Sequence, residues 1–161
     1  MSFDRLWAGW RAEYVGSAID EPDDGGCVLC RVLDAGHHVV WRGEAVAVIL
    51  NAYPYTTGHV MVLPVRHLAE LEDLDPPEAA ALWAGVADAV KAVKSAYRPH
   101  GLNVGANLGR AGGAGVPGHL HLHVVPRWEG DTNFMTAVAG TRVLPESLDA
   151  SHERLQAAWP A

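Results

Sequence analysis

Residues 119–125 read His-Leu-His-Leu-His-Val-Val, a strict alternation of imidazole and aliphatic side chains. In an extended strand every second side chain lies on the same face, so His119, His121 and His123 point one way. Leu120, Leu122 and Val124 then point the other way, into a core. At a rise of ~3.3 Å per residue, neighbouring histidines stand ~7 Å apart along the strand and the outer two ~13 Å apart. Zinc holds nitrogen ligands at about 2.0–2.1 Å. Two adjacent rings can therefore chelate, but all three cannot easily reach one ion.

Two readings remain. The bland one is three surface histidines on a half-exposed strand, although histidine is not a favoured strand former. The other divides the labour. A neutral imidazole, with an ordinary pKa of ~6.5, is a competent nucleophile towards phosphorus near neutral pH. Just upstream, "GRAGGAGVPG" (109–118) offers backbone N–H groups with little steric bulk, as a phosphate cradle requires.

The rest of the chain supplies a frame for such a strand. "HVVW" and "AVAVILN" read as a hairpin around Arg42-Gly43-Glu44, and "GHVMVLP" as a third strand. "DPPEAAALWAGVADAVKAVKSAY" is a helix: Asp75 caps it, prolines suit its first turn, and Glu78 holds the capping-box position. Leu82, Val86, Ala89, Val90, Val93 and Tyr97 form its apolar stripe. "LNVGANL" and "HLHLHVVP" add two strands, and a short helix is expected around 146–158. The expected architecture is α+β: a five-stranded, mainly antiparallel sheet with helices packed on one side.

A chain of 161 residues, 49% apolar and 19% charged, suits a single globular domain over 1–161. No repeat or long linker marks a boundary. Residues 16–26 are acidic and Gly/Pro-bearing and read as a surface loop. A net charge of −7 argues against a nucleic-acid partner, and no apolar run approaches the ~20 residues that span a bilayer. The opening "MSFDRLWAGWRAEYV" is too charged for a signal peptide, so a cytoplasmic location is expected. "CVLC" places Cys27 and Cys30 in a Cys-x-x-Cys pair, which can be half a zinc site, a redox pair or two reduced thiols. No thioredoxin-like context supports the redox option.

"HLHLHVV" resembles the H-φ-H-φ-H-φ-φ signature of the histidine triad (HIT) family of nucleotide hydrolases and transferases. "VILNAYPYTTGHVMVLP", "RHLAELEDL", "GLNVGANLG" and "HVVPRWEGDTNFM" follow the family order. Together with "RLWAGWRAEYV" and "CVLC", the chain is most similar to the bacterial diadenosine tetraphosphate phosphorylase and hydrolase branch.

The resemblance implies a HIT-like domain and a covalent nucleotidyl-histidine on His121, with His123 contacting the phosphate and His59 as a fourth histidine. It implies Asn51 at the ribose hydroxyls, Asn107 at a phosphate, and the amides of Gly112 to Gly118, including Gly113 and Gly115, as an anion site. Arg110 and Arg127 could add charge. For members with Cys-x-x-Cys it implies one structural zinc on Cys27, Cys30, His67 and His119; the pair His37 and His38, near the cysteines in sequence, is the runner-up for ligands. The expected activity is phosphorolysis of diadenosine tetraphosphate, an ATP adenylyltransferase-type reaction. Hydrolysis of dinucleoside polyphosphates or phosphoramidates, a zinc-water hydrolase on a His-x-His chelate, and a non-catalytic nucleotide-binding module are the alternatives. A homodimer is implied. Many relatives carry Ser, Thr or Gln three or four residues before the first histidine, where this chain has Val116 and Gly115, and close relatives tend to have proline where it has Thr136.

Overall fold

The structure, a computed structural model, describes residues 26–131 and 144–160. The opening segment 1–25, with Trp7 and Trp10, and Thr136 lie outside the described residues. The elements in chain order are helix α1 (Val28–Ala35), strands β1 (Val39–Arg42), β2 (Val46–Leu50) and β3 (Val60–Pro64), helix α2 (Pro76–Tyr97), strands β4 (Gly101–Ala106) and β5 (Leu122–Arg127), and helix α3 (Leu148–Ala157). A single 3₁₀ turn, Leu71–Asp73, precedes α2. No described helix is long and apolar enough to cross a membrane.

The five strands form one antiparallel sheet in the order β1-β2-β3-β5-β4. After β3 the chain crosses over through α2 to the far edge, and β5 then fills the gap between β3 and β4. That insertion places the histidine strand centrally, beside β3.

Alternation sorts the sheet into two faces. Val46, Val48, Leu50, Val60, Val62, Leu122 and Val124 meet Leu82, Val86, Ala89 and Val93 of α2 and Leu155 of α3 in one core. Ala47, Ile49, Met61 and Leu63 meet Leu29 and Leu33 of α1 in a second. The expected one-sided arrangement holds for α2 and α3, and α1 is a further helix on the opposite face. Covered on both sides, β2 is buried at every position, which is why "VAVIL" reads as a continuous apolar run. Helix α2 approaches so closely that a Cβ on Gly85 would stand 3.1 Å from Val46.

Helix α2 starts as expected, with a reciprocal capping box between Asp75 and Glu78. Arg66 clamps Glu78 from the preceding loop and, chiefly by that hydrogen bond, holds its carboxyl down at about 2. On the edge strand β1 Trp159 stacks on Trp41 at 5.4 Å, so this tryptophan covers the core rather than standing free.

One strand boundary differs from the expected "HLHLHVVP". Ladder pairing with β3 begins only at Leu122, opposite Val62. Two residues on, the partner is Pro64, which has no N–H to continue the ladder. Ahead of Leu122 the chain bends at His119, Leu120 N–H turns to Leu68 O at 2.7 Å and the His119 ring donates to the Pro64 carbonyl.

Candidate active site and metal centre

The histidine face of β5 is the α1 face of the sheet, because His123 pairs with Met61. His59, just ahead of β3, joins it. Gly58 makes this possible: its φ of 79° is left-handed, and a Cβ there would lie 2.5 Å from the Tyr97 ring. His59, His119 and His121 are all buried, at 0%, 1% and 5% exposure, so each ring needs a defined partner.

Those partners determine where each proton sits. Tyr55 N–H donates to His59 Nδ1 at 3.1 Å, so His59 carries its proton on Nε2. That N–H donates to His123 Nδ1 at 3.0 Å, leaving His123 with a proton on Nε2. His121 Nδ1–H donates to the His119 carbonyl at 2.8 Å, so the lone pair of His121 is on Nε2. The His121 and His123 rings meet edge to face at 5.1 Å.

Burial pushes the His121 pKa down, partly opposed by its bond to the His119 carbonyl. Burial, with His121 beside it, lowers His123 to about 4. Both rings are neutral at physiological pH, the state that a nucleophile and a neutral hydrogen-bond donor require.

The first histidine faces elsewhere. His119 Nε2–H donates to Pro64 O at 2.9 Å, which frees Nδ1 as a ligand atom. That nitrogen lies 3.4 Å from Cys27 Sγ and 3.5 Å from Cys30 Sγ, and His67 Nδ1 lies 3.5 Å from Cys30 Sγ. In a zinc tetrahedron with ordinary Zn–S and Zn–N bonds, sulfur and nitrogen are about 3.6 Å apart. The observed spacings fit. Cys27 caps α1 and Cys30 lies three residues on, so one helical turn presents both thiols to the same point. Burial, with Cys27 adjacent, raises the Cys30 pKa, so a metal must displace that proton.

All four expected ligands thus converge, with ligand atoms within 4.8 Å of one another. His37 and His38, the runner-up ligands, form a separate group with Asp149. Among the described residues neither His121 nor His123 belongs to a group of three or more side chains that could hold a metal ion.

The nucleotide-binding expectations come out unevenly. Asn51 lies opposite His59, its N–H donating to the His59 carbonyl, but its Oδ1 caps a turn by accepting from Tyr53 N–H. Asn107 braces the glycine loop by donating to Gly113 O. Gly113 N–H and Ala114 N–H close turns within that loop, onto Arg110 O and Gly109 O, so these two amides do not face an anion here. Arg127 is held bidentate by Asp131 and also donates to Asn103, a structural clamp rather than a free charge. Tyr55 escaped the sequence reading: its amide sets the His59 tautomer, and its ring lies 4.7 Å from His59 and 5.9 Å from His123. Only its position four residues before His59 hinted at this.

The HIT domain model matches residues 33–130. This chain belongs to the HIT family. It is 40% identical to the AP-4-A phosphorylase of Mycobacterium tuberculosis over 163 residues, covering 96% of this chain and 84% of that protein. An asymmetrical bis(5'-nucleosyl)-tetraphosphatase from Schizosaccharomyces pombe is 32% identical over 60% of this chain and 52% of its own. Among solved HIT structures, a Zn-bound histidine triad family protein from Mycobacterium smegmatis superposes with a TM-score of 0.67. It is 31% identical and covers 83% of this chain and 92% of its own. A hypothetical histidine triad nucleotide-binding protein from Sulfolobus tokodaii gives 0.69, with 28% identity over 82% and 91%.

Proposed function

We propose that the chain is a cytoplasmic HIT enzyme that splits dinucleoside polyphosphates through a nucleotidyl group carried on His121. The supporting observation is the His119 carbonyl, which takes the Nδ1 proton and leaves the lone pair of His121 on Nε2. In the first step Nε2 attacks the α-phosphorus, an N–P bond forms, and the P–O bond to the remaining polyphosphate breaks, its electron pair leaving with that oxygen. His123 Nε2–H, fixed by the relay from His59, supports the charge on the phosphoryl oxygens. In the second step an incoming oxygen nucleophile attacks phosphorus and the N–P bond breaks, restoring neutral His121. Asn51 binds the ribose through its side-chain NH2, and Asn107, Gly113 and Gly115 shape the loop beside the phosphates.

Inorganic phosphate is the second nucleophile in this reading, giving phosphorolysis to ADP and ATP from diadenosine tetraphosphate. Support comes from the 40% identity with a protein named AP-4-A phosphorylase. Zinc fits the Cys27, Cys30, His67 and His119 donor set, and four protein ligands close the site, so its contribution there is structural. A homodimer accords with the exposed residues of β4 at the sheet edge.

Brief mixing with diadenosine tetraphosphate followed by intact-protein mass should reveal one added adenylyl group, mapping to the peptide with His121. His121→Ala should form no adduct and lose several orders of magnitude in turnover. Products formed with and without phosphate then decide the second step: ADP for phosphorolysis, AMP for hydrolysis. Full activity in His121→Ala overturns the mechanism.

A further inference from the structure

His37 and His38 lie just ahead of β1 and meet Asp149, the second residue of α3. One ligand atom from each of the three lies within 4.8 Å of the others. The two imidazoles pack at 3.9 Å between centroids, tilted by 55°, and His38 Nε2 lies 3.0 Å from Asp149 Oδ1. Consecutive residues of an extended chain point apart. Here His38 adopts a left-handed φ of 59°, a conformation disfavoured for any side chain with a Cβ, and the two rings lie against each other.

Asp149 comes from a docked helix. His152 Nε2–H and Gln156 Nε2–H both donate to the Val39 carbonyl, at 2.9 and 3.4 Å, and Leu155 is buried in the core below. The His152 ring flanks His38 at 5.9 Å. The three donors are therefore positioned by contacts that need no ion.

We propose that His37, His38 and Asp149 form a second metal site, for a borderline divalent cation such as Zn²⁺, which ties the C-terminal helix to the start of β1. Two imidazole nitrogens and one carboxylate oxygen suit zinc and its neighbours, whereas calcium and magnesium want oxygen ligands alone. The 3.0 Å between His38 Nε2 and Asp149 Oδ1 approaches the about 3.3 Å between nitrogen and oxygen in a zinc tetrahedron. On binding, the metal takes the lone pair of His38 Nε2, the proton of the neutral ring moves to Nδ1 through solvent, and the carboxylate changes from hydrogen-bond acceptor to ligand. Three protein donors leave one position to water, unlike the closed cysteine centre. The proposal is independent of the reaction at His121.

Equilibrium dialysis against micromolar Zn²⁺, with bound metal counted by mass spectrometry, tests it. The intact protein should hold two ions per chain, and His37→Gln or Asp149→Asn one. Cys27→Ser/Cys30→Ser should hold one, which adding Asp149→Asn removes. Zinc should also raise the melting temperature of the double-serine protein, and of that protein only while Asp149 is present. Unchanged zinc content in both His37→Gln and Asp149→Asn overturns the second site, whereas loss confined to the serine variants assigns all zinc to the cysteines and overturns it equally.

Discussion

Acid should destabilise this protein through His123, with a size that can be worked out. Burial, aided by His121, lowers its pKa to about 4, whereas histidine in an unfolded chain titrates at ~6.5. Between these values the unfolded state binds more protons, so the stabilisation is complete above the upper value and is lost as pH falls towards the lower one. A gap of ~2.5 pH units at ~1.36 kcal/mol each gives ~3.4 kcal/mol. The ring is only part-buried, and solvent screening reduces this to ~2 kcal/mol. Urea unfolding at about pH 7 and about pH 4, followed by tryptophan fluorescence in chelating buffer, measures it against His123→Gln. The variant loses its His59 partner and starts less stable, but should lose ~2 kcal/mol less on acidification. Equal losses in both proteins would refute the assignment of His123 as a neutral, part-buried relay member.

Three further outcomes follow from the geometry. His59→Phe deletes the donor to His123 Nδ1 and should cost ~1–3 kcal/mol of stability, read by urea unfolding, with turnover falling while Asn51 and the zinc ligands stay in place. Cys27→Ser, or prolonged chelation, should lower the melting temperature well before it abolishes adduct formation, since His121 lies outside the group of Cys27, Cys30, His67 and His119. Gly58→Ala should be destabilised by ~2 kcal/mol or more in the same assay, because its left-handed φ and the Tyr97 ring both oppose a Cβ.

Much of this was legible from pattern. The period-two run at 119–125 located the histidine strand and its face, and Asp75 with Glu78 located the start of α2, because both signals are local. The ligand set Cys27, Cys30, His67 and His119 came from family resemblance, and the structure brings those four together. What escaped depended on contacts distant in sequence. Nothing in "CVLCRVLDA" says that it crosses the second face of the sheet. Pro64 ends the ladder of a strand that begins 58 residues later, an effect invisible without the pairing register. The engagement of Arg127 by Asp131 and of Gly113 by Arg110 likewise depends on how turns close, which glycine content alone does not dictate.

The bond that orients His121 comes from the main chain of His119, not from a side chain. No ordinary replacement of residue 119 can delete that acceptor, since every amino acid brings a carbonyl. A descendant of this protein could therefore lose its cysteines and its first histidine, find other means of stabilisation, and still hold the reactive ring in the same protonation form. The scaffold is free to change under a chemistry that stays put.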